Sequence, residues 1–246
     1  MSDLKIIDVA VRGITVRFAA QNPRLRVWAE RFEEIEPELL DLIDQMPART
    51  VFFDLGASIG LFSLYAALRR QARVYAFEPE AQNYATLELN HFLNRHALGE
   101  PLNSFNVAIG ESSGIGRMHT RVYGAGEHVK ILDQAVTQDT KEAFEPAHIQ
   151  TVLKMPLDRL IAEFGLPQPA VMKIDVDGSE GAVLAGARAT LGNPILNTVF
   201  IELTDRTQAE EARLLVQNGF RLDAKIPVAR LRGGVYPDLF NCTYRR

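Results

Sequence analysis

The stretch TVFFDLGASIG, residues 50–60, decides the fold class. Its apolar run ends at Asp54 and Gly56, and the following segment, IGLFSLYAALRR, carries apolar residues at helical spacing. Small residues at the junction permit a tight strand-to-helix turn and let a ligand approach the backbone closely. The stretch therefore predicts a buried strand followed by a ligand-binding turn and a helix.

The same alternation of strand and helix continues along the chain. A second apolar run ends at Glu78, a helix follows it, and further runs and helical patterns succeed one another to the end of the sequence. The later strand segments are SFNVAIGE, AVMKIDVDG, NTVFIELTD, FRLDAKI and LFNCTYR. This order predicts an α/β fold with a seven-stranded, mostly parallel, doubly wound sheet covered on both faces. The last two strands could close one edge of that sheet in antiparallel fashion.

The first 48 residues follow a different pattern. Two short alternating segments flank Arg12-Gly13 and predict a hairpin, and apolar residues over 24–46 predict a helix broken near Pro37. We therefore predict two units: a hairpin and helix extension over 1–48, packed on a main domain over 49–246. Trp28, within the extension, is interpreted as a core or helix–sheet contact rather than as a platform for a cofactor.

A long insertion separates the third and fourth predicted strands. Residues 111–156 are rich in Gly, Thr, Gln, Glu and His and show no strong periodicity. A long irregular connection within a compact domain is commonly a functional cover or a disordered segment. We therefore predict an irregular, mobile cover over the site, with residues 118–150 becoming ordered when ligands bind.

Bulk composition excludes several classes of function. The 246 residues carry 27 Lys and Arg against 31 Asp and Glu, a formal net charge of −4, and no long basic run indicates nucleic-acid binding. Cys242 is the only cysteine, which excludes an intrachain disulfide and a cysteine metal cluster. No signal-peptide or membrane-span pattern is present, so a soluble cytoplasmic protein is expected. No oligomeric state is predicted.

The acidic and glycine residues at the first two strand ends suggest a nucleoside ligand. The glycines Gly56 and Gly60 are spaced G-x-x-x-G, unlike the G-x-G-x-x-G of dinucleotide sites, and Asp54 precedes them. A carboxylate there suits a cationic ligand group better than a pyrophosphate. Glu78 follows Gly60 by 18 residues, where a carboxylate can accept hydrogen bonds from two ribose hydroxyls. The alternative role for Glu78 is a helix-capping acid before Pro79.

Taken in order, these segments resemble the FkbM family of methyltransferases. The family typically reads D-x-G-A-N-x-G, F-E-P and K-I-D-V-E-G at three of these places; here Ser58 stands for Asn and Asp177 for Glu. The segments that carry the resemblance, within roughly residues 50–205, are FFDLGASIGLFSLYAA, VYAFEPEAQNYATLELN, FNVAIGE, MPLDRL and VMKIDVDGSEGAVLAGARATL.

The resemblance implies a Rossmann-like class I methyltransferase fold with S-adenosylmethionine as cofactor. It also implies methylation of a hydroxyl on a small-molecule, sugar or polyketide-like acceptor. Carried over by position, the residues at the methionine end of the cofactor are Asp54, Gly56, Ala57, Ser58 and Gly60. Glu78 and Pro79 would contact the ribose, and Ala108 and Ile109, at the end of the third strand, would flank adenine.

Three residues are candidates for the chemistry of methyl transfer. Asp175 and Glu202 end neighbouring predicted strands and would project together beside the transferred methyl, and His128 lies in a glycine-flanked loop of the insertion. Asp175 would orient the acceptor hydroxyl and take its proton. The alternative is a structural pair of Lys173 with Asp175 or Glu202, because a buried lysine needs a partner. A metal site ranks below both, and no metal ligand is predicted.

Two other classes of function share parts of this pattern. A nicotinamide-dependent oxidoreductase has a similar sheet but a different glycine spacing. A binding module that keeps the fold without catalysis would bind no cofactor or turn nothing over. The intact set Asp54, Gly56, Gly60 and Glu78 argues against the second.

Overall fold

The computed structural model describes residues 4–127, 129–137, 141–205, 208–228 and 238–246. The strands are β1 (Ile6–Val11), β2 (Ile14–Ala19), β3 (Val51–Leu55), β4 (Arg73–Phe77), β5 (Asn103–Phe105), β6 (Ala108–Ile109), β7 (Gly114–Thr120), β8 (Lys130–Leu132), β9 (His148–Met155), β10 (Val171–Ile174), β11 (Thr198–Thr204), β12 (Arg221–Pro227) and β13 (Leu239–Arg245). The helices are α1 (Pro23–Glu30), α2 (Phe32–Ile35), α3 (Pro37–Gln45), α4 (Leu61–Arg70), α5 (Ala81–Asn94), α6 (Leu157–Phe164), α7 (Glu180–Ala185), α8 (Arg188–Gly192) and α9 (Gln208–Gln217).

The central sheet has seven strands in the order β12-β13-β11-β10-β3-β4-β5. The five strands from β11 to β5 pair in parallel, while β13 is antiparallel to both β11 and β12. The sheet is therefore mixed, with a parallel part of five strands and an antiparallel edge formed by β13 and β12. The antiparallel closure of one edge by the last two strands is confirmed.

Alternate residues of the central strands point into two apolar cores. On β3, Phe52 packs in the core with α1 to α4, while Phe53 and Leu55 pack in the core with α6 to α9. This alternation follows from the two-residue period of a strand. Asp54 consequently points to the α4 side, and so does Lys173 on β10, between Met172 and Ile174 of the other core.

The predicted hairpin and broken helix at the N-terminus are confirmed. Arg12 and Gly13 form the turn with φ of 44° and 84°, and Pro37 begins α3. The extension shares the main core, because the Phe32 ring contacts Phe62 at a centroid distance of 5.4 Å. Asn90 on α5 fixes the hairpin by accepting the Ala19 N–H at 2.8 Å.

The insertion forms a second sheet, so the expectation of an irregular segment is wrong for its described part. Its four strands lie in the order β6-β9-β7-β8. The inward positions of β7 are Gly116, Met118 and Thr120, and Gly116 and Thr120 are too small or too polar for a hydrophobic alternation to be visible. The mobility predicted for residues 118–150 stays a prediction.

The third predicted strand is in fact two strands. Residues 103–105 form β5 of the central sheet, whereas 108–109 form β6 of the second sheet, paired with β9. The chain changes sheets at Asn106, whose side-chain amide donates to the carbonyls of Glu78 and Pro79. Within the described ranges, no helix is long and apolar enough to cross a membrane.

Candidate active site

A deep cavity opens at the carboxyl ends of β3, β4 and β10, where ligands bind in parallel α/β sheets. Its empty volume, counted to the open mouth, is about 1090 Å³. Residues from the central sheet, the second sheet and the N-terminal helices line it. The main lining segments are 56–59, 77–79, 107–109 and 175–177.

The glycine loop after β3 has its shape because strand β10 ends against it. Gly56 has a φ of +81°, and a Cβ there would lie 1.7 Å from the backbone oxygen of Asp175. The N–H groups of Gly56 and Ala57 both donate to the Phe77 carbonyl, at 2.9 and 3.1 Å. Ser58 adopts a φ of 50°, a left-handed conformation that asparagine also tolerates. The glycine is thus required by strand packing as well as by any ligand.

Asp54 lies behind this loop and is not among the residues that line the cavity. Its side chain is 1% exposed, accepts the Ser63 hydroxyl at 2.6 Å and lies 3.2 Å from Lys173 Nζ. Gly56, Ala57 and Ser58 do line the cavity. The sequence placed these four residues and Gly60 at one end of a ligand, whereas the structure gives Asp54 a buried ion pair and Gly60 is not among the lining residues.

Lys173 joins the ends of β3 and β10. Its Nζ donates to the Gly56 carbonyl at 3.0 Å and lies 3.5 Å from an Asp175 oxygen. Burial alone would lower the lysine pKa, but the charges of Asp54, Asp175 and Glu36 outweigh it and raise the pKa above its ordinary value. Lys173 therefore stays protonated. Of the two structural partners considered for it, Asp175 is found, together with the unforeseen Asp54.

Glu78 stands at the end of β4 inside the cavity wall. Its two oxygens accept the N–H groups of Ser58 and Glu80, each at 2.8 Å. The side-chain cap of α5 is Glu80, which accepts the N–H groups of Gln82 and Asn83. The helix-capping role considered for Glu78 is therefore filled by Glu80. Burial, opposed by those N–H groups and by the charge of Lys130, raises the pKa of Glu78 to about 7.

Asp175 is the one predicted catalytic residue that the structure places on the cavity. It follows β10, lines the cavity, and its side chain is 23% exposed. Glu202 lies inside β11, is 2% exposed and pairs in register with Asn241 of β13. Ile174 pairs in register with Ile201, so Glu202 and Asp175 follow neighbouring positions of β11 and β10, but Glu202 is not among the residues that line the cavity. A catalytic role for Glu202 stays a prediction. His128 lies outside the described residues.

The turn after Asp175 is held by a buried carboxyl. Glu180 accepts the N–H groups of Val176 and Gly178 at 3.3 and 3.1 Å, and burial raises its pKa to about 8. Asp177 in this turn has a φ of 54°. No group of three potential metal-binding side chains was found in the described ranges.

Several cavity residues were not foreseen from the sequence. Trp28 lines the cavity and donates its Nε1–H to the Gly126 carbonyl at 2.8 Å, while Asn83 accepts the Gly126 N–H at 2.8 Å. Lys130 and Met118 come from the second sheet. In the sequence, Trp28 stands out only as the one tryptophan among apolar helix positions. Its hydrogen bond to Gly126, 98 residues later in the chain, cannot be inferred from that pattern.

The fold and the site define a Rossmann-like α/β protein with a ligand cavity at the carboxyl edge of its parallel strands. A family model described as the methyltransferase FkbM domain matches residues 54–222. This match spans more than half of the 246 residues, and the chain belongs to the FkbM methyltransferase family.

The chain is also similar to individual methyltransferases. The chain is 29% identical over 203 residues to 31-O-demethyl-FK506 methyltransferase FkbM of Streptomyces tacrolimicus, covering 71% of this chain and 74% of that protein. It is 26% identical over 195 residues to hexuronic acid methyltransferase AglP of Haloferax volcanii, covering 78% and 72%. Among solved structures, magnesium protoporphyrin IX methyltransferase of Synechocystis PCC 6803 with bound SAM aligns with a TM-score of 0.49 at 10% identity, covering 92% of this chain and 84% of that chain.

Proposed function

We propose that this chain transfers the methyl group of S-adenosylmethionine to a hydroxyl of a small-molecule, sugar or polyketide-like acceptor. The proposal rests on family membership and on the kinds of acceptor that the names of two relatives print, FK506 and a hexuronic acid. The observation that carries it is Glu78, a buried carboxyl on the cavity wall that accepts the Ser58 N–H of the glycine loop and the Glu80 N–H.

The cavity residues fit this cofactor. Glu78 uses one N–H bond on each oxygen, so each oxygen keeps acceptor capacity for a ribose hydroxyl. Gly56 and Ala57 present backbone without bulk, and Val107, Ala108 and Ile109 supply an apolar wall.

When bound, the cofactor supplies an electrophilic methyl group, and the chain supplies alignment and proton handling. Alignment alone can lower a barrier by about 7–11 kcal/mol. Asp175 is the cavity carboxylate best placed to hold an acceptor hydroxyl and take its proton, since its own oxygen is fixed 3.5 Å from Lys173. Lys173 remains a cation and holds Asp175 in position.

Removing the Glu78 carboxylate should weaken cofactor binding. We expect Glu78→Ala to lower the affinity for S-adenosylmethionine and S-adenosylhomocysteine at least about tenfold, because one hydrogen bond to a charged group contributes roughly 1.5–3 kcal/mol. Isothermal titration calorimetry on folded protein measures both affinities, with Glu88→Ala, outside the cavity, as the control. Unchanged affinity, or binding of NADH in place of S-adenosylmethionine, would contradict the proposal.

The raised pKa of Glu78 also predicts a pH dependence of binding. Ribose hydroxyls donate to the ionised carboxylate, so binding favours the charged form and expels a proton below a pH of about 7. Cofactor affinity should fall as the pH drops from 8 to 6, by up to about tenfold per pH unit below 7. Glu78→Gln should bind more weakly at pH 8 and lose this slope. A wild-type affinity that is flat across this range would be inconsistent with the ribose role.

A further inference from the structure

The second sheet, called the inserted sheet below because the insertion contributes β7, β8 and β9 to it, turns an apolar face towards the cavity. Met118 on β7 and Leu132 on β8 are directly opposed across the two strands, and both line the cavity. Met118 is 4% exposed and packs in one cluster with Ala108, Val152 and Leu132. This face therefore forms a wall of the cavity, although its strands lie outside the central sheet.

An ion pair fixes this wall close to Glu78. Lys130, two residues before Leu132 on β8, pairs with Glu80, and both side chains are 5% exposed. The N–H of Glu80 in turn donates to Glu78 at 2.8 Å. A buried ion pair needs well-fixed geometry to offset the desolvation of its charges. Strand β8 is thereby held against the start of α5, beside the carboxyl that we assign to the ribose.

The chemistry of this wall suits a flat aromatic base. A nucleoside base is bonded directly to its ribose. A ribose held by Glu78 therefore places the base next to that carboxyl, separated from it only by the ribose ring. Methionine is polarizable and makes favourable contacts with aromatic rings. Ligand pockets generally combine such apolar walls with a few oriented polar groups.

We propose that the inserted sheet forms one face of the adenine slot, with Met118 and Leu132 against the base. The insertion is then part of the donor site, beyond any role as a cover for the acceptor. This inference rests on the proposed function, because it takes the cofactor to contain adenosine. It also explains why Ala108 and Ile109 belong to the second sheet: the slot lies between the two sheets.

The test uses two adenosine probes whose binding needs no known acceptor. Calorimetry with 5′-methylthioadenosine and S-adenosylhomocysteine should show at least about fivefold weaker binding of both to Met118→Gln and to Leu132→Gln. Met118→Leu, which conserves volume and apolarity, should bind within about twofold of wild type. The matched control is Ile115→Gln on the outer face of the same strand, where the side chain is 65% exposed, and it should leave both affinities unchanged.

A second readout uses the unaltered chain in case a glutamine variant fails to fold. Photolabelling with 8-azidoadenosine should place the label on peptides from β7 or β8. Label confined to the loops of the central sheet, or wild-type affinity in both glutamine variants, would overturn the assignment while leaving the proposed function standing. A wild-type chain that binds neither adenosine probe would overturn the proposed function and this assignment with it.

Discussion

Asp175→Asn should lower turnover by roughly 10²–10⁴-fold while leaving the affinity for S-adenosylmethionine nearly unchanged, the range typical for loss of a general base. The asparagine keeps an oxygen that can accept from Lys173, now 3.5 Å from Asp175, so the surrounding geometry is preserved. The substitution removes the negative charge and, with it, the ability to take a proton. Single-turnover assays with isotopically labelled donor, together with calorimetry, measure the two quantities.

Asp223→Asn is the matched control for this prediction, because it removes a carboxylate of β12 that is 52% exposed and pairs with Arg245. It should leave turnover unchanged. Near-normal turnover in Asp175→Asn would remove the base role. If turnover and thermal stability fell together, the structural pairing with Lys173 would be the better account of Asp175. Loss of activity in EDTA, restored by magnesium or manganese, would instead favour a metal role.

Lys173→Met should lower the free energy of unfolding by about 3–5 kcal/mol, the usual cost of removing one partner of a buried ion pair. The change leaves Asp54, 1% exposed, with the Ser63 hydroxyl as its remaining side-chain partner among the hydrogen bonds and ion pairs described. Urea denaturation followed by circular dichroism measures the difference.

Two further variants separate the ion pair from other effects of the substitution. Lys225→Met removes a surface lysine that lies 3.1 Å from Asp205, and it should cost at most about 1 kcal/mol. Lys173→Met combined with Asp54→Asn should recover part of the lost stability, because the buried Asp54 charge that lost its counter-ion is also removed. A double variant no more stable than Lys173→Met alone would contradict the ion-pair account.

Strand ends in the central sheet were predictable because local pattern determines them. The apolar runs ending at Asp54, Glu78 and Asp175 end there in the structure within about a residue, since both faces of each strand are covered. The turn at Arg12-Gly13 was predictable from its own residues. These features depend on residues that are close in sequence, so the amino-acid sequence alone is enough to predict them.

Features that depend on distant contacts were not predictable. The Asp54 side chain points to the α4 side because its neighbour Phe53 packs in the core with α6 to α9. Its partner Lys173 lies 119 residues later in the chain (173 minus 54). The burial of Glu202 was not predictable because β11 runs on to Thr204 through its pairing with β13. The second sheet escaped prediction because its inward face contains Gly116 and Thr120, so burial there does not produce an apolar pattern.

The most direct test of the central claim is mass spectrometry of small-molecule extract incubated with the protein and S-adenosylmethionine labelled in its methyl group. The account predicts a small-molecule product that carries the labelled methyl on oxygen, formed by the wild-type chain and strongly reduced with Asp175→Asn. Label found on protein or nucleic acid, or on nitrogen or carbon of the product, would contradict the proposed hydroxyl acceptor. No labelled product from a range of extracts, with the cofactor bound, would contradict methyl transfer to a small molecule altogether.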